Sequence, residues 1–208
     1  DISTKYKNRE ASYSDIADYI QATVNAQNGN YLVFFPSYEY MNHTHDIFSA
    51  KFPDILTALQ LSNMSEEERE GFLAQFKPNV HKQFVAFAVM GGIFSEGIDL
   101  KGSRLTGSII VGVGLPQICL ERNIIKDYFA NKNGMGYEYS YMFPGMNKVL
   151  QAAGRVIRTE MDTGTVVLID ERFAYSSYKQ LFPKEWGHYK EVGNIEVFKD
   201  EIEGFWAK

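Results

Sequence analysis

The chain has 208 residues, a formal net charge of −5, and 45% hydrophobic and 14% aromatic residues. This suits an ordinary globular protein with one substantial core, and the acidic balance excludes a protein that coats nucleic acid through bulk positive charge. Cys119 is the single cysteine, so these residues offer no intrachain disulfide and no cysteine-built zinc or iron–sulfur site. No apolar run approaches the ~20 residues of a membrane span and no signal peptide is visible, so no membrane partner and a cytoplasmic protein are expected. The opening DISTKYKNRE is polar and lacks an initiator methionine. Residues 1–208 are therefore expected to form one domain cut from a longer protein.

Along the chain, helical and extended patterns alternate. Ser14 can cap a helix running to about Gln27, closed by Asn28 and Gly29, after which the apolar run Tyr31 to Phe35 reads as a strand. Pro36 and Ser37 make the turn into the next helix. Asp54 to Gln60 is a second strand, and Ser65 to Glu68 is a capping box opening a helix to about Phe76. Phe84 to Met90 gives a third strand, and the run starting at Ser108 a fourth that ends in a glycine-rich turn. Phe129 to Met146, punctuated by Asn, Gly and Pro, reads as an irregular surface excursion. A helix spanning Gln151 to Arg158 leads to a fifth strand at Thr165 to Asp170, and the tail from Asn194 reads as a strand entering a short helix. Such alternation predicts an α/β domain, a mainly parallel sheet with helices on both faces.

The stretch QAAGRVIR sets Gln151, Arg155 and Arg158 at i, i+4 and i+7, one face of a helix, with Lys148 a turn earlier. Val149, Leu150, Ala152, Ala153, Val156 and Ile157 are predicted to pack inward. Gly154, a mid-helix glycine costing about 1 kcal/mol relative to alanine, suggests close approach by a ligand or a second domain. Ligands of parallel sheets bind outside the carboxyl ends of the strands. Ser37 and Tyr38, Phe94 to Asp99, and Asp170 to Arg172 occupy such ends. The cationic ridge is expected on the same exposed edge as Ser37 and Ser95 to Asp99.

Several chemistries lack their residues. There is no phosphate loop and no Gly-Lys dipeptide anywhere. Gly112-Val113-Gly114 reads as a strand-to-loop turn, and no G-x-S-x-G elbow occurs. His43, His45 and Asp46 match no zinc spacing, so no metal is expected within the chain. What remains is a domain that supplies cations to a phosphate held by something else, a task for which the planar fork of arginine is suited.

The segments LVFFPSY, GGIFSEGIDLKG and YMFPGMNKVLQAAGRVIRTEMDTGTVVLIDERF, in that order between about Asn30 and Trp186, closely resemble motifs IV, V and VI of the second RecA-like lobe of superfamily 2 DNA helicases of the DinG and XPD type. The resemblance implies a three-layer RecA-like fold and a 5′-to-3′ ATP-dependent motor. It implies that Arg155 and Arg158 reach the γ-phosphate, with Gln151 positioning water or phosphate. Glu96, Gly97 and Asp99 would line the nucleotide cleft with Gly154, and Ser37, Tyr38 and Ser95 would contact single-stranded DNA. ATP and magnesium would be bound mainly by a first lobe of the same polypeptide, outside these residues, so the chain alone is expected to be inactive. An iron–sulfur cluster or a nuclease domain in the parent protein stays open. The alternative is a non-enzymatic domain that binds single-stranded nucleic acid or a protein, with Tyr38, Phe94 and Tyr137 as stacking platforms.

Overall fold

Near-continuous apolar strands need cover on both faces, because their side chains alternate between the two sides of a sheet. The computed structural model describes residues 2–94, 100, 104–157 and 162–207. Among them β1 (Asn30–Phe35), β2 (Leu56–Leu59), β3 (Phe84–Val89), β4 (Gly107–Val111) and β5 (Thr165–Ile169) form one sheet in the order β2-β3-β1-β4-β5. Every pairing is parallel, as the alternating pattern predicts. The central strand shows why two layers of helices are required. Leu32 and Phe34 join one core with Phe72, Met146 and Val149, whereas Tyr31, Val33 and Phe35 join another with Ile16, Ile20 and Phe48.

Helices α1 (Arg9–Ala26) and α2 (Tyr38–Lys51) cover the second of these faces, and α3 (Glu66–Leu73) lies on the first, opened by the predicted Ser65–Glu68 capping box. Next comes α4 (Leu120–Asn133), which contributes no buried residue, and a π-helical turn at Glu138–Met142 leads directly into α5 (Phe143–Ala153). After β5 the short α6 (Ser176–Lys179) joins α5 on the first face through Tyr178, and α7 (Ile195–Trp206) packs Phe198 and Ile202 against Ala22 of α1.

Several sequence expectations are corrected. Ser14 does not cap the first helix: α1 starts at Arg9 with Asn8 as its N-cap, and Ser14 lies inside it. The supposed excursion at 129–146 is helical for most of its length, since α4, the π-helical turn and α5 occupy it. The tail holds no strand: the Asn194 side chain accepts from the backbone N–H of Val197 and starts α7 at once. The ridge helix stops at Ala153, with Gly154 as its C-cap, so Arg155 lies in a tight turn rather than on a helix face. Within the predicted inward set, Val149, Ala152, Ala153 and Val156 are buried, but Ile157 is 47% exposed.

Candidate functional site

The sheet presents two edges, and the predicted site residues divide between them. At the carboxyl edge, Ser37 is the N-cap of α2, its hydroxyl accepting from the Tyr40 backbone N–H. Tyr38 is half-buried, and its hydroxyl accepts from Gln60 Nε2 at 2.8 Å. Gln60, buried just beyond β2, also accepts the Val89 N–H at 2.8 Å through Oε1. One amide thus ties the ends of β2 and β3 to the first residue of α2. The sequence gives no sign of Gln60, because a lone glutamine after a short strand looks like any loop residue.

Lys148 also stands at this edge. A Cβ built on Gly91, beyond β3, would lie 3.1 Å from Lys148 Cε, and one on Gly114, beyond β4, 3.5 Å from Lys148 Cβ. Both glycines have positive φ, +70° and +59°, a conformation that side chains rarely adopt. Burial lowers the Lys148 pKa, and the charge of Arg122 lowers it further.

Beyond β5 at the same edge, Asp170 is enclosed. Its side chain receives Arg172 Nε at 2.7 Å and Nη2 at 2.9 Å, the Thr4 N–H at 3.2 Å, and the Thr4 hydroxyl. Burial pushes the carboxyl pKa up, but the hydrogen bonds from Arg172 and Thr4 outweigh it and hold the group below its ordinary value. Glu171 holds the neighbouring residues through Ser3 Oγ at 2.8 Å and Lys5 Nζ at 2.7 Å. The polar cluster predicted at this strand end therefore fastens residues 2–5 across the sheet.

Arg155 lies at the opposite edge. Helix α5 runs against the strands, so its start faces the carboxyl edge and its end the amino edge. Gly145 sits where a Cβ would meet the Val113 carbonyl at 2.5 Å, whereas the Ala152 carbonyl is 3.5 Å from Ser108 Oγ near the start of β4. Beyond it, Val156 packs so closely on Gly164, just before β5, that a Cβ there would collide with its side chain. Arg155 is half-buried between these anchors and Gln151 is exposed in the last turn of α5. A cleft of about 340 Å³ opens at the same edge, lined by Asn28, Asn79, Thr106, Asp162 and Thr163 among others. The expectation of one common edge for the ridge and Ser37 is thus corrected. Gly154 is exposed, with φ −67°, and acts as a helix end. Ser95, Glu96, Gly97, Asp99 and Arg158 lie outside the described residues.

The histidines have ordinary structural settings. His43 stacks on Tyr13 with centroids 5.4 Å apart, and His45 Nε2 lies 3.1 Å from Thr57 Oγ1 with its ring edge-on to Phe87.

Residues 20–189 match the family described as Helicase C-terminal domain. The chain belongs to that family. The helicase C-terminal domain is 26% identical over 201 residues to the 3'-5' exonuclease DinG of Staphylococcus epidermidis, covering 95% of the chain and 21% of that protein. It is 25% identical over 183 residues to a probable ATP-dependent helicase of Methanocaldococcus jannaschii, covering 84% of the chain and 28% of that protein. The solved apo XPD structure superposes with a TM-score of 0.70 at 26% identity, covering 86% of the chain and 36% of the XPD chain. The fold is therefore the RecA-like α/β arrangement of these helicases. The domain spans between a fifth and two fifths of the length of these three relatives.

Proposed function

We propose that this helicase C-terminal domain is the second motor lobe of an ATP-dependent, 5′-to-3′ DNA helicase of the DinG and XPD type. In this reading ATP, with its magnesium, is held mainly by a first lobe. That assignment fits the residues here, which offer arginine at the amino edge and no phosphate loop. Arg155 and Arg158 approach the γ-phosphate from this lobe, Gln151 orients water or phosphate beside them, and Glu96, Gly97, Asp99 and Gly154 line the shared cleft. Ser37, Tyr38 and Ser95 contact the single strand.

The observation that carries the reading is the separation of Arg155 from Ser37 and Tyr38. A motor must hold nucleotide and strand at once without one occluding the other. The described members of the two predicted contact sets lie at opposite ends of parallel strands. Arg155 is half-buried in a turn whose next residue, Val156, packs on Gly164, a backbone anchor that suits a side chain meant to stabilise charge developing during phosphoryl transfer.

The test is Arg155→Ala in the complete helicase. Turnover should fall by about 100-fold or more with single-strand affinity little changed, because an arginine finger acts on the transition state. Turnover within about twofold of wild type, in a protein that still folds, overturns the arginine assignment. For the 208-residue chain alone, calorimetry is expected to detect no ATP binding in the micromolar range. Such binding would show that the nucleotide site is complete here.

A further inference from the structure

Among the described lysines, several meet carboxylates: Lys5 pairs with Glu171, Lys51 with Asp18, Lys179 with Glu191, Lys190 with Glu201 and Lys199 with Glu196. Those that do not are exposed, with one exception. Lys148 is half-buried and has neither a carboxylate nor a hydrogen-bond partner among the described residues. Its stem lies over Gly91, where a side chain would crowd it, and in ordinary contact distance of Gly114. The nearby cation, Arg122 of α4, is also half-buried. Its Nη1 donates at 3.3 Å to the carbonyl of Ser140, two turns before Lys148, and it too meets no carboxylate among the described residues.

Two partly desolvated cations brought together repel each other, and the low pKa of Lys148 reflects both effects. A fold that only needed to fill this space would use an apolar residue or add an acid. The arrangement makes sense when an anion completes it. Lys148 stands beside the carboxyl ends of β3 and β4, on the edge that carries Ser37 and Tyr38 and away from Arg155.

We infer that Lys148, over the glycine turns at Gly91 and Gly114, together with Arg122, held on the Ser140 carbonyl, forms a phosphate-binding site for the backbone of the single strand. The inference rests on the helicase reading and adds two strand contacts to it. Lys148 supplies a compact charge, and the free N–H groups of Arg122 supply a fork fixed by Ser140. Because only phosphates are engaged, the contact is independent of base sequence.

The experiment is fluorescence anisotropy with a fluorescein-labelled oligothymidylate and the complete helicase across a salt series, comparing wild type with Lys148→Gln, Arg122→Gln and Lys148→Arg. Each glutamine variant should weaken binding and reduce the slope of log affinity against log salt by about 0.7, the counterion release of one lost phosphate contact. Lys148→Arg should restore most of the slope. Thermal unfolding of the Lys148→Gln variant gives a readout that a structural role would move the other way: removing one of two repelling cations, which makes no hydrogen bond among the described residues, should leave the midpoint unchanged or raised. Unchanged slopes in both glutamine variants, with wild type binding the strand, overturn the site alone. A wild-type helicase that does not bind the oligonucleotide overturns the motor reading and the site together. Loss of ATP affinity with an unchanged salt slope would assign the cations to the nucleotide and overturn the strand contact.

Discussion

Asp170 shows what a single side chain does here. Its carboxyl is enclosed, paired with Arg172 and held below the usual carboxylate range. A carboxyl with a depressed folded pKa contributes stability that is fully present above its unfolded pKa, about 3.9, and is lost as pH falls through the folded value. Urea unfolding should therefore show stability dropping below about pH 4, and Asp170→Asn should flatten that drop. At neutral pH the same variant should cost about 3–5 kcal/mol, because it leaves the largely buried Arg172 guanidinium without its charge partner. The sequence carried part of this information, since Asp170 to Arg172 reads as a polar cluster ending a strand. It did not reveal Thr4, 166 residues away, as the partner that makes the cluster a fastening. Long-range pairing leaves no periodicity to read. Lys148 was legible only as a member of a ridge, because its isolation from acids depends on which strands end beside it.

Among the elements, the strands were the most legible, since a run buried on both faces is apolar at every position. The end of α5 was not. Val156 still packs inward after the helix has stopped, so hydrophobic spacing continued and suggested a longer helix. Periodicity reports burial, and a tight turn can preserve it for a few residues. The opposite error befell α4, which buries nothing and so offers no inward stripe. Leu120, Ile124 and Tyr128 are 72%, 60% and 56% exposed, and the helix is held by contacts such as Phe129 stacked at 3.9 Å on Tyr139 and Arg122 on the Ser140 carbonyl. Its amides should exchange with solvent deuterium well before those of α5, as expected of a helix with few buried apolar contacts. Mass-spectrometric exchange on the chain checks this, and equal protection of the two helices would refute it. Close packing makes a converse prediction for α5. Gly145→Ala places a Cβ 2.5 Å from the Val113 carbonyl and 3.0 Å from Leu115 Cδ2, so the helix must shift. A loss of about 1–3 kcal/mol in denaturant unfolding is expected.

Across the whole molecule the fold class was legible and the distribution of the site was not. Alternating strands and helices imply a parallel sheet, and the same alternation requires each helix to return from the carboxyl edge to the amino edge before the next strand can start. The ridge, lying just ahead of β5, had to end at the amino edge. Grouping it with the strand-end clusters overlooked that return path. The two edges are set apart by the five residues of β4, about 16 Å at about 3.3 Å per residue, and the space between them is filled by a close-packed core with β1 fully buried at its centre. In the proposed motor this plate acts as a gear train. Displacement imposed at Arg155 reaches the strand side only as faithfully as the core resists compression. Play introduced midway becomes slip. Val33→Ala, which removes buried methyl groups from the middle of β1 and touches neither edge, should cost about 2 kcal/mol of stability. It should also raise the number of ATP molecules consumed per nucleotide advanced while leaving the affinity for each ligand in place.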